Sequence, residues 1–131
     1  MTLSTYSFAL PTRIVFGQGV ISTVGEEAKA LDAKKVLIVA DKGVINAGLI
    51  KPVEESLKQV NISYKIFDKI VPNPRDTDCH VGYELAKQEK VDALIAVGGG
   101  SSMDTAKAIG TLLTHGGKIQ DWCGFQLLKR E

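Results

Sequence analysis

Three consecutive glycines stand in "ALIAVGGGSSMDTAKAIG", Ala93 to Gly110, between an apolar run and a segment of helical character. Glycine in such a place costs conformational entropy, so something must need the backbone bare. Gly98, Gly99 and Gly100 follow a strand-like run and open a helix, with Ser101 and Ser102 at its start. Bare glycine lets backbone N–H groups approach a phosphate with no Cβ in the way. The N-terminus of the helix adds unpaired N–H groups and a partial positive charge. Ser101 or Ser102 can cap the helix or donate a hydroxyl to a phosphate oxygen. Asp104 falls in the first turn on this reading, where the dipole favours a carboxylate by roughly 0.3–1 kcal/mol. The same residues also make an ordinary tight strand-to-helix turn with a serine cap.

A second loop competes for the phosphate. "FGQGVIS", Phe16 to Ser22, also follows a β-branched run and gives G-x-G-x-x-S. Asp41 lies beyond it at about the spacing (~20 residues) of a dinucleotide fingerprint. Asp41 also ends the apolar run "VLIVA", at the carboxyl edge where open α/β sheets bind ligands. A carboxylate there can accept both ribose hydroxyls of NAD. It repels a 2′-phosphate, since like charges about 4 Å apart cost about 4 kcal/mol at an effective dielectric of 20, less in solvent. The alternative for Asp41 is an exposed cap on the next helix.

These residues need a frame to hold them. "RIVF" (13–16), "KVLIVA" (35–40), "SYKIF" (63–67) and "DALIAV" (92–97) read as strands, and the continuously apolar ones suit parallel strands buried on both faces. Helical patterns fall near 20–31, 47–60, 76–90 and 102–114. In the second, Ile50, Val53, Leu57 and Val60 form one apolar stripe, and Pro52 fits a first helical turn. Strand alternating with helix predicts a Rossmann-like α/β domain over residues 1–131: an open, mostly parallel sheet with flanking helices. "VPNPRD" holds two prolines that keep the chain extended before the third helix.

Sixteen basic against fifteen acidic side chains leave a net charge of +1, so nothing calls for nucleic acid or an anionic membrane surface. No apolar stretch nears the roughly 20 residues of a membrane span. The N-terminus lacks the basic and apolar regions of a secretory signal. Cys79 and Cys123 sit in no CxxC pair, so structural thiols in a reduced, cytoplasmic setting are expected. "DCH", Asp78 to His80, places three possible metal ligands side by side. Consecutive helical positions splay apart, so an ordinary surface reading is preferred and no metal site is expected here. Trp122 and Phe125 are expected to pack against elements outside this chain.

The segments "PTRIVFGQG", "VLIVADKG", "VPNPRDT" and "DALIAVGGGSSMDTAKAIG", in that order, resemble the N-terminal part of the iron-containing (group III) alcohol dehydrogenases. The resemblance covers essentially the whole chain and favours the GGGSSMD loop over FGQG, which becomes a structural turn. It implies that Gly98, Gly99, Gly100 and Ser101 hold the pyrophosphate of NAD. Asp41 would bind the adenosine ribose and disfavour NADP, Asn73 would line the adenine side, and Asp104 would lie toward the nicotinamide. It implies hydride transfer between the cofactor and a small alcohol, diol or aldehyde, with Fe²⁺ or Zn²⁺ polarising the alcohol oxygen. In that family the metal is held by an Asp and three His of a helical second domain, and the sequence ends at Glu131 before any such set. The domain is therefore expected to be incomplete and catalytically silent alone. The resemblance also implies a homodimer made through the N-terminal strand, for which "TYSFAL" has suitable alternation. A free-standing nucleotide-binding or interaction module, and a dehydroquinate synthase-like relative on the same scaffold, are the alternatives.

Overall fold

A computed structural model describes residues 10–71 and 75–123. The apolar run Lys35–Ala40 forms β1, the middle strand of a three-stranded sheet ordered β2-β1-β3, with β2 at Ser63–Phe67 and β3 at Ala93–Val97. Both pairings are parallel, with Val36 opposite Tyr64 on one side and Ala93 on the other. Central position explains composition: Val36 through Ala40 are all fully buried, as a strand covered on both faces requires.

The pleat divides that strand between two cores. Val36, Ile38 and Ala40 face α1 (Val24–Ala30) and α3 (Lys51–Gln59), meeting Ala28, Val53 and Leu57. Leu37 and Val39 face α4 (Asp76–Gln88) and α5 (Gly100–His115), meeting Phe67, Ala86 and Ile109. Each large aliphatic side chain so buried contributes about 1.5–3 kcal/mol relative to exposure. The result is the expected open, parallel α/β sheet with helices on both faces. No helix among the described residues is long and apolar enough to cross a membrane.

Two local devices set the helices. Gly25 lets α1 lie against α3, because a Cβ there would stand 2.3 Å from the Ser56 carbonyl oxygen. The Ser56 hydroxyl fills the gap, accepting from Gly25 N at 2.8 Å and donating to Ser22 O at 2.6 Å. At the other ends, α1, α3 and α4 stop in the same way. Asp32, Asn61 and Lys90 take φ of 58°, 59° and 54°. The next residues, Ala33, Ile62 and Val91, return N–H bonds to Ala28, Leu57 and Ala86. This is the Schellman stop, built without glycine. Below it, at the amino edge of the sheet, Glu89 meets Lys35 at 2.6 Å and Lys65 at 3.3 Å, and these ammonium groups hold its carboxyl below the usual range.

Three expectations are corrected. The 13–16 run is not a strand: no described strand pairs with it, Ile14 and Phe16 are 69% and 98% exposed, and Arg13 instead meets Glu27 at 2.8 Å. The helix expected at 20–31 begins as a 3-10 turn, Val20–Thr23, before α1. The helix expected at 47–60 starts at Lys51, with Pro52 in its first turn. A short α2, Lys42–Asn46, precedes it and is separated by a turn at Gly48, whose φ is +74°. Trp122, for which partners outside the chain were expected, has partners within it as well. It packs on His115 at 4.9 Å and donates Nε1–H to Gly116 O at 2.8 Å. Phe125 lies outside the described residues.

Lys90 is the least suited of the three left-handed stops, because its side chain lacks the local hydrogen bonding that helps Asp and Asn there. Lys90→Gly is expected to stabilise the fold by about 1 kcal/mol, read as a higher denaturant midpoint at unchanged slope. A lower midpoint would contradict this account of the stop.

Candidate functional site

The register of β1 on β3 places Ala40 opposite Val97, so the next residues, Asp41 and Gly98, leave adjacent strands at the same carboxyl edge. Beside them, Ile70 and Val71 follow β2. A cleft of about 320 Å³ opens here, lined by Asp41, Lys42, Gly43, Ile70, Val71 and Ser101. A larger groove, about 590 Å³, runs along β3 and α1 past Ala93–Ala96. It is mainly apolar, whereas the cleft gathers a carboxylate, an ammonium and a helix N-terminus, so the chemistry lies in the cleft.

The three glycines do different work. Gly98 has φ +137°, and a Cβ on it would stand 2.8 Å from Ser102 Oγ and 3.4 Å from Val44 Cγ2. The fold alone demands glycine there. Gly99 is the extended N-cap of α5 and Gly100 its first residue, and a Cβ on either would meet nothing within 4 Å. The fold does not demand glycine at these two positions, and their lack of side chains leaves the backbone open to approach.

The end of α5 is open in a second sense. No side chain caps it, and the first helical bond runs from Met103 N to Gly99 O at 3.1 Å. Neither serine is the cap: Ser101 lines the cleft and Ser102 is buried, 1% exposed. The hydroxyls of Ser102 and of fully buried Thr105 have no hydrogen-bond partner among the described residues. Because α5 starts at Gly100, Asp104 is exposed and one turn in, and no acidic residue occupies the first turn. The amides there carry no competing carboxylate.

Asp41 does cap. It is the N-cap of α2, and its Oδ1 accepts from Val44 N at 2.9 Å while the residue lines the cleft. The capping and ligand readings of this residue are thus compatible in one geometry. The structure brings Asp41, Gly98, Gly99, Gly100 and Ser101 to one edge. Asn73 lies outside the described residues. The competing FGQG loop is a turn into the 3-10 segment: Gly19 takes φ +77° and Ser22 Oγ donates back to Gly19 O at 3.0 Å. Lys42, Ile70 and Val71 were missed by sequence reasoning: only the topology brings Ile70 and Val71 beside Asp41, and Lys42, its chain neighbour, belongs to no motif.

The other reactive side chains are occupied elsewhere. Arg75 Nε donates to Asp78 Oδ2 at 3.2 Å and holds that carboxyl below its usual range. Burial raises the Cys79 thiol, and His80 stands edge-on to Tyr83. Among the described residues no three of His, Cys, Asp or Glu gather as a metal site.

Gly99→Ala is expected to leave thermal stability within about 0.5 kcal/mol, whereas Gly98→Ala should cost about 1–3 kcal/mol through strain and overpacking. Equal losses in the two variants, read by denaturant unfolding, would contradict the division of roles.

Comparison with known proteins agrees with this fold. Residues 11–131 match the family model described as iron-containing alcohol dehydrogenase. The chain is 48% identical over 117 residues to a choline dehydrogenase of Bacillus subtilis, covering 89% of this chain and 29% of that protein. It is 40% identical over 124 residues to an NAD-dependent methanol dehydrogenase of Bacillus methanolicus, covering 95% and 32%. The NADH-dependent butanol dehydrogenase A of Thermotoga maritima superposes with a TM-score of 0.83 at 39% identity, covering 89% and 30%. The chain thus spans about a third of the length of the relatives it matches. Its match over residues 11–131 places it in the iron-containing alcohol dehydrogenase family.

Proposed function

We propose that this chain forms the cofactor-binding part of an NAD-dependent, metal-dependent alcohol dehydrogenase. The enzyme moves a hydride between the nicotinamide and a small alcohol or diol, or the corresponding aldehyde. The observation that carries the reading is the pair Gly99 and Gly100, bare toward open space at an uncapped helix N-terminus. An NAD-dependent and an NADH-dependent relative support the choice of cofactor.

On this reading the N–H groups of Gly100, Ser101 and Ser102 bind the pyrophosphate oxygens, with the α5 dipole adding to the attraction. Gly98 sets the turn that aims them. The Ser101 hydroxyl lines the cleft and donates to the same oxygens. Asp41 keeps Oδ1 on Val44 N and accepts a ribose hydroxyl with its remaining lone pairs, discriminating against a 2′-phosphate. Asn73 flanks the adenine. Asp104, exposed one turn along α5, faces the nicotinamide side.

When bound, Fe²⁺ or Zn²⁺ supplies Lewis-acid polarisation of the alcohol oxygen. The described residues do not fit such an ion, and none is assigned to it. The enzyme is placed in the reducing cytoplasm, where Cys79 and Cys123 remain thiols. The homodimer contact is assigned to the segment "TYSFAL", nearly all of which lies outside the described residues.

Calorimetric titration of the chain with NAD⁺ and NADP⁺ tests the reading. NAD⁺ is expected to bind the more tightly, and Asp41→Ala to weaken it about tenfold through the lost ribose bond. Preference for NADP⁺, or no change on Asp41→Ala, would refute the role of Asp41.

A further inference from the structure

Lys42 shares the cleft with Asp41 and has no place in the binding scheme above. It is exposed, and it makes no hydrogen bond or ion pair with any described residue. The adjoining carboxylate is constrained: Asp41 Oδ1 is held on Val44 N at 2.9 Å, directly above Gly43, where a Cβ would stand 3.0 Å away. The fixed anion and the exposed cation therefore sit at the same cleft. For a ribose with a free 2′-hydroxyl the anion is an acceptor and the cation is idle. For a ribose carrying a 2′-phosphate the anion repels and the cation is the available partner. An ammonium on a flexible stem suits that task, since lysine binds phosphate as a point charge from many directions.

We propose that Lys42 is a second determinant of cofactor choice, a latent partner for a 2′-phosphate that the Asp41 charge keeps out of use. Asp41 alone holds the cleft to NAD, and loss of that one charge turns it toward NADP through Lys42. The inference rests on the nucleotide-site reading above.

The test compares 5′-AMP with 2′,5′-ADP, which differ only by the 2′-phosphate, on the 131-residue chain. Calorimetry is run on the native protein, Asp41→Asn, Lys42→Gln and the double variant. Asparagine keeps an oxygen for the Val44 N–H, so α2 retains its cap while the charge is removed. Asp41→Asn is expected to bind 2′,5′-ADP about tenfold more tightly than the native chain. Adding Lys42→Gln should remove most of that gain, while 5′-AMP affinity moves by about twofold or less. A double variant that binds 2′,5′-ADP as well as Asp41→Asn does would overturn the inference while leaving the nucleotide site standing. So would equal losses for both ligands on Lys42→Gln, which would make Lys42 a general phosphate contact. If the native chain binds 5′-AMP nowhere, the nucleotide reading fails and the inference with it.

Discussion

The pairing of β1 with β3 is the constraint on which the site depends. Ala40 stands opposite Val97, and from that level the chain turns into Asp41 on one strand and Gly98 on the other. A slip of one residue would turn Val36, Ile38 and Ala40 toward α4 and α5, and Leu37 and Val39 toward α1 and α3. Both cores would then be mispacked, so the register is held by apolar burial distributed over the whole strand. The separation between the Asp41 carboxylate and the N-terminus of α5 is therefore set by packing well away from either.

Within that frame the edge keeps features that the fold does not need. Gly98 is explained by backbone geometry, while Gly99 and Gly100 forgo side chains for which there is room. The helix they open has no side-chain cap, although a cap is worth about 1 kcal/mol. Ser102 and Thr105 bury hydroxyls with no partner among the described residues, which costs stability too. Such departures from local consistency collect at functional sites. Here they collect around the start of α5, at the carboxyl edge of the sheet.

Much of this was legible in the sequence because burial leaves a pattern. The run "VLIVA" suited a strand covered on both faces, and GGGSS after "ALIAV" marked a strand-to-helix turn with bare backbone. The 13–16 run shows the limit: β-branched residues record a local preference, but a strand exists only where another strand pairs with it. Ser101 and Ser102 were each candidates for the cap and neither fills it, because the helix begins earlier, at Gly100, and takes Asp104 out of the first turn. The short α2 was hidden because its five residues are too few to show a helical period, and the apolar stripe beginning at Ile50 belongs to α3 alone. Ile70 and Val71 carried no signal of their own, since their proximity to Asp41 is a product of strand order, and Lys42 adjoins Asp41 in the chain without any motif to mark it.

The central claim is that the bare amides at the start of α5 receive the cofactor's pyrophosphate. Amide chemical-shift mapping of the ¹⁵N-labelled chain during NAD⁺ titration reads those groups one by one. The account predicts that the largest saturable shifts fall on Gly99, Gly100 and Ser101, with smaller ones on Asp41 and Lys42. Glu89 and Asp92, at the opposite edge of the sheet, should stay still. Shifts centred on Gly17 to Ser22, or a titration that moves no amide between Gly98 and Ser102, would contradict it.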